Sequence, residues 1–412
     1  MPRPEPHHPA VIGQRVRTIR RRRGLSQAVI AGHAQITKQY LSLLEKGERR
    51  FERRGLLEDL ADALGCSVAD LTGQPYLPHD RASAEALATL PPISVALAEC
   101  TLDDAPDLPA RPLHVLEHLT RTANIHSADS RYTIAGHALG DLLTELHIHA
   151  ATTRGDARRR ALAALTEACI VACGSARSLG NIDLAIASAR RGQDAAALLN
   201  SPALAGFAGM SAAGALSRLG ARRRAQWVSD TALADVAEAD PSADDTTAAE
   251  AAGMLHLSAA MTAAKNHQAG EAIARLQVAE ELAAVTGEKN TLCYSFGPAN
   301  AMAWSLSIAV ELGSGPERAE VITRQPGYDS RLTTADRRAA LHFDLARGYA
   351  QAEGARDRQA VVHLDTADRI APQRIRHDPV ARELVTQLDT RATRPSWELT
   401  SLRHRLGATA PG

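Results

Sequence analysis

Apolar residues over the first 73 positions recur at the three-to-four-residue spacing of helices that bury one face. Ile12, Val16 and Ile19 form the first stripe, which predicts a helix over 11–23 ending at Gly24. Ser26 is placed to cap a second helix over 27–33, and Thr37 a third over 38–46 that Gly47 stops. Further helices are predicted over 56–64, stopped by Gly65, and over 67–71, stopped by Gly73. In the third helix Leu41 and Leu44 fall on the buried face, which leaves Lys38, Gln39, Ser42 and Leu43 facing outward. Gln74-Pro75-Tyr76-Leu77-Pro78 then interrupts the pattern and reads as a linker over 74–82.

After residue 80 the helical period continues almost throughout, and its breaks are themselves periodic. Helix-ending marks stand at Gly180-Asn181, Gly220-Ala221, Asn266-His267, Gly313-Ser314 and Gly354-Ala355, at intervals of 40, 46, 47 and 41 residues. Each mark separates two long amphipathic segments, and second breaks at Ser201-Pro202, Pro241 and Pro298 fall between such pairs. One helix pair cannot bury its apolar faces alone, whereas stacked pairs can, so this spacing predicts an α-solenoid with a long concave surface. Residues 83–150 predict two or three less regular helices capping the array, and 396–406 a capping helix at the other end.

Composition sharpens this all-α reading. The chain has 412 residues, enough for two to four folding units. Aromatic residues make up only 3%, so the core must be built from Ala, Leu, Val and Ile, which disfavours an all-β fold. Five cysteines do not make a disulfide framework, and charged residues interrupt every Ala-rich run before it reaches a membrane span. Residues 1–10, with Pro at 2, 4, 6 and 9, read as a disordered tail without the apolar stretch of a signal peptide. A cytoplasmic protein without membrane association is therefore expected. The formal net charge is zero, yet residues 1–76 hold 13 Lys/Arg against 8 Asp/Glu. A head of +5 on a body of −5 points the head towards a polyanion.

The run from Ser26-Gln27 to Glu45-Lys46-Gly47 joins two capped helices by a tight turn, and its second helix has a polar outer face. It resembles the lambda-repressor/Cro-like helix-turn-helix family, the XRE family, without a gap, and the five predicted helices suit a head over 11–73. Gln35 stands where that family has Gly in the turn, and His33 where it usually has Leu. The resemblance implies binding to double-stranded operator DNA. Base contacts would come from Thr37, Lys38, Gln39, Ser42 and Leu43, and phosphate contacts from Gln27, Lys46, Arg49 and Arg50. It also implies a homodimer reading two half-sites. Arg20-to-Arg23 divides between a solvated helix end and further phosphate contacts.

The body, over 83–412, is similar to the tetratricopeptide-like bodies of actinobacterial XRE regulators and of RRNPP-type peptide receptors. Leu71-Thr72-Gly73-Gln74-Pro75-Tyr76 and Phe296-Gly297-Pro298-Ala299-Asn300 carry the likeness. It implies a transcriptional regulator whose body dimerises and senses a peptide or small-molecule effector. The alternative is a DNA-tethered protein-interaction scaffold. On the first helices of the pairs, Arg177, Arg218, Met254, His256, Tyr294, Phe296, Asn300 and Trp304 are the candidates for an effector surface, with Met210 beside them. For each of these a place in the core is the competing expectation.

Other signals point away from catalysis. His114 and His118 flank Glu117 at helical spacing but lack the order and third ligand of a zinc site. Cys169 and Cys173 read as small core residues, and the Gly-rich 206–211 as a place of close helix packing. No phosphate-binding loop, dinucleotide fingerprint or nucleophile elbow occurs, so no enzyme, metal or cofactor is expected.

Overall fold

A computed structural model describes residues 12–78 and 80–408. All regular elements among them are helices, and there is no strand. The tail expected over 1–10 lies outside the described residues.

The head has five helices: α1 (Ile12–Arg22), α2 (Gln27–His33), α3 (Lys38–Lys46), α4 (Arg54–Leu64) and α5 (Val68–Thr72). Their starts follow local chemistry. Ser26 Oγ accepts the Val29 N–H, and Thr37 Oγ1 accepts the Tyr40 N–H, so each helix has one of its orphan donors satisfied at the start. Gln35 holds the turn at φ 53°, the conformation for which glycine has no steric cost. Helix α1 crosses α3 so closely at Gly13 that a Cβ there would lie 1.9 Å from the Leu44 carbonyl oxygen.

Five helices rather than two or three follow the head: α6 (Arg81–Leu87), α7 (Leu90–Glu99), α8 (Leu113–Ala128), α9 (Tyr132–Gly136) and α10 (Leu139–Thr152). The extra helices come from short segments of one or two turns, which carry too few residues for a readable period. Five antiparallel pairs come next. They are α11 (Gly155–Ser178) with α12 (Ile182–Ala197), α13 (Pro202–Leu219) with α14 (Arg222–Asp235), and α15 (Thr247–Lys265) with α16 (Ala269–Thr286). Then come α17 (Pro298–Leu312) with α18 (Gly315–Thr323), and α19 (Ala335–Ala350) with α20 (Asp357–Ile370). All five periodic breaks in the sequence fall at the turns within these pairs. The first helices pack on one another in the order α11, α13, α15, α17, α19 and form an inner layer, while their partners lie outside. Small residues permit this approach: a Cβ on Gly209 of α13 would lie 2.6 Å from the Ala232 methyl of α14. The chain closes with α21 (Pro372–Ile375), α22 (Pro379–Arg391) and α23 (Trp397–Arg405).

The head does not stand apart. Its apolar residues and those of α17 to α23 form one continuous buried cluster. The segment read as a linker is also held, since Gln74 Nε2 donates to the His377 carbonyl at 2.8 Å and the Arg382 guanidinium lies 3.6 Å over the Tyr76 ring. The body thus fixes where the head points.

Candidate functional site

Helix α3 presents two faces. Leu41 and Leu44 are fully buried, while Thr37, Lys38, Gln39 and Lys46 are exposed and Ser42 and Leu43 half-buried. Gln27, Lys38, Ser42 and Lys46 converge on one cleft between α1, α2 and α3, and Arg17 and Arg21 of α1 line it too. Arg21 belongs to the basic run that sequence divides between a solvated helix end and phosphate contacts, whereas Arg17 lies outside that run and sequence does not single it out. The basic run divides. Arg20 is buried and grips Glu45 of α3 with two hydrogen bonds, of 2.5 and 2.7 Å, while Arg23 donates to the Leu64 carbonyl. Gln27 Nε2 donates to the same Glu45 at 2.8 Å. Glu45 therefore sets α1, α2 and α3 in register and keeps the outer face of α3 rigid.

Two expected phosphate contacts sit differently. Arg49 is exposed but pairs with Glu353 of the body at 2.8 Å. Arg50 departs from the expectation. Its guanidinium is mostly buried and lies 3.9 Å from Glu383 on α22, because the chain after Gly47 turns into the body rather than along the outer face of α3.

The contacts that dock the head centre on α4. Its N-terminus has no cap of its own. Glu311 of α17 supplies one from 257 residues away, accepting the N–H groups of Arg54 and Gly55, each at 3.1 Å. Arg347 joins the cluster, pairing with Glu311 at 2.5 Å and Asp344 at 2.7 Å and donating to the Glu52 carbonyl. Burial opposes ionisation of Glu311, but Arg347 and Lys265 outweigh it and hold the carboxyl below its ordinary value. Further pairs flank α4: Glu58 with Lys265 at 2.6 Å, Asp59 with Arg222 and His267, and Arg54 with Asp378 at 2.6 Å. Gly55 allows the approach, since a Cβ there would lie 3.1 Å from the Lys265 backbone.

Beside this contact the inner layer encloses a cavity of about 310 Å³. Arg177, Arg218, Met254, Tyr294 and Trp304 all line it, as does Met210. Three other sequence candidates do not. Phe296 is buried against Gly253, whose missing side chain makes room for the ring. Asn300 is buried and donates to the Tyr294 carbonyl at 3.1 Å, so it shapes the wall from behind. His256 lies two positions from Met254 on α15 and so faces away from the cavity, where Arg275 and Glu271 of α16 are its charged neighbours. The cavity also takes in Arg54 of the head and Arg337, Arg347, Arg374 and Asp378, which sequence did not select. Arg337 and Arg347 lie on α19, Arg374 and Asp378 on the segment that closes the chain and Arg54 on α4, and no local spacing connects these elements to one concave face.

The features set aside in the sequence behave as structure. Glu117 pairs with Arg160. Cys169 and Cys173 are fully buried, and burial pushes the Cys169 thiol up to about 12. No helix among the described residues is long and apolar enough to cross a membrane.

Comparison with known proteins agrees with the head's geometry. Residues 11–72 match the family model of a helix-turn-helix domain. No curated protein and no solved structure matches the chain. The capped, basic helix pair lies within those matched residues, so the chain carries a helix-turn-helix domain, which supports DNA binding, on an all-helical body.

Proposed function

We propose that the protein is a homodimeric, sequence-specific transcriptional regulator of the XRE type, whose tetratricopeptide-like body senses a small-molecule or peptide effector. One observation carries the reading. The same five-helix head presents the exposed Lys38 and Gln39 on one side and, on the other, is clamped through α4 to the wall of a charged cavity. A ligand in that cavity is in reach of Arg54, the first residue of α4, and so can bias how the head is held.

In this reading Gln39 and Lys38 face base edges, Ser42 and Leu43 follow them along the groove, and Thr37 sits at the entry. Gln27 and Lys46, with Arg17 and Arg21, hold the phosphates. One recognition helix spans only a few base pairs, so two copies are needed for a full operator. DNase footprinting on duplexes selected from a random library, paired with sedimentation of the complex, tests this. Two protected half-sites with centres about 10 base pairs apart and two chains per duplex are expected. One half-site covered by one chain would overturn the dimer.

A further inference from the structure

The cavity between the head and the inner layer is lined by seven Lys and Arg side chains against the four carboxylates of Glu311, Asp336, Asp344 and Asp378, which leaves an excess of positive charge. The cations Arg54, Lys265, Arg347 and Arg374 each have a carboxylate partner. Arg177, Arg218 and Arg337 line the same space with no side-chain hydrogen bond or ion pair to any described residue. The guanidinium of Arg177 lies across Gly214, where a Cβ would come within 2.4 Å of Nη1. Arg337 is stacked 5.4 Å from the centre of the Trp304 ring, and both Arg337 Nε and Trp304 Nε1 are buried donors without an acceptor. Burial first, and then repulsion from Arg54, pulls the Arg218 guanidinium down to about 9. Buried cations and orphaned donors are costly, and they persist where a ligand completes the site.

Resting on the reading of the body as a sensor, we propose that this cavity binds a small polyanion. Its phosphate or carboxylate groups would be held by Arg177, Arg218 and Arg337, and an acceptor atom would meet Trp304 Nε1. The volume of about 310 Å³ lies at the lower end for small-molecule sites, which suits a small ligand. The polyanion screens the repulsion between Arg218 and Arg54 and thereby favours the docked head.

The test uses the full-length protein with pyrophosphate and with citrate as probes, against sodium chloride at matched ionic strength. At least one probe is expected to raise the melting temperature with the logarithm of its concentration. Which one does so separates a phosphate ligand from a carboxylate one. Arg218→Met is expected to weaken that binding at least about tenfold, without lowering the melting temperature measured with no probe. Arg177→Met gives the same readout should the first variant fail to fold. No shift beyond the salt control, or an equal shift in both variants and the parent, would overturn the proposal. Operator affinity measured with and without the bound probe separates this inference from the reading beneath it. Probe binding that leaves operator affinity unchanged keeps the polyanion site and removes its role as a sensor. An effector that changes operator affinity while neither probe binds keeps the sensor and removes the polyanion.

Discussion

Gln39 and Lys46 sit on one helix, and the proposed function gives them different kinds of contact. Gln39 is exposed on the outer face of α3, where a side-chain amide can pair with an adenine edge. Gln39→Ala should cost about 1–3 kcal/mol on a selected operator and little on random DNA, read by fluorescence anisotropy. Lys46→Ala should weaken both and lower the slope of log affinity against log salt by about one. Arg50→Ala should leave that slope unchanged, because its guanidinium faces Glu383. The contrast marks what a sequence can show. The caps Ser26 and Thr37 and the buried Leu41 and Leu44 were legible, since each depends on neighbours within a few residues. The fate of Arg50 depends on a helix more than 300 residues away. Titration belongs at this scale too. Burial holds the His363 ring, stacked on Tyr349 and His342, down to about 4. The unfolded chain takes up a proton near pH 6.5 and the folded one only near 4, so stability falls as pH drops through that window. The loss from this group reaches about 2 kcal/mol at pH 5. Chemical denaturation at pH 7 and 5 checks it, and His363→Phe, which keeps the ring stack, should flatten the dependence.

Helix α4 shows how an element can be stabilised from elsewhere in the chain. It begins without its own cap, and Glu311 of α17 meets its first N–H groups. Removing that carboxylate strands Arg347 and leaves helix donors unpaired. Glu311→Ala should therefore cost about 3–5 kcal/mol of stability and loosen the head. The second effect would appear as faster proteolysis in the segment 74–78, and unchanged cleavage there would argue against the docking role. The helix pairs themselves were legible, because Gly, Asn or Pro breaks fall at the turns of the array. The docking of α4 was not. Glu58 and Lys265, or Glu52 and Arg347, lie too far apart in sequence for any periodicity to connect them, and a buried carboxylate looks like a surface one in a list of residues.

Across the whole molecule, a five-helix head, an inner layer of five first helices and a C-terminal closure share their buried surfaces. The basic excess of the head, visible in composition, ends up divided. Lys38, Lys46, Arg17 and Arg21 remain around the outer cleft, whereas Arg20, Arg50 and Arg54 are spent on internal pairs. The charge count therefore overstates the basic surface that the head leaves open to a polyanion. Sequence selected Arg177 and Arg218 for the concave cavity but not Arg337, since the register of α19 against its neighbours decides which of its residues point inward. Whether the outer face of α3 reads a DNA sequence is decided by the ratio of affinities for a library-selected duplex and a scrambled one at physiological salt. A ratio of at least about 10³ is expected for the full-length protein, reduced by Gln39→Ala. A ratio near one, with Gln39→Ala without effect, would contradict that reading.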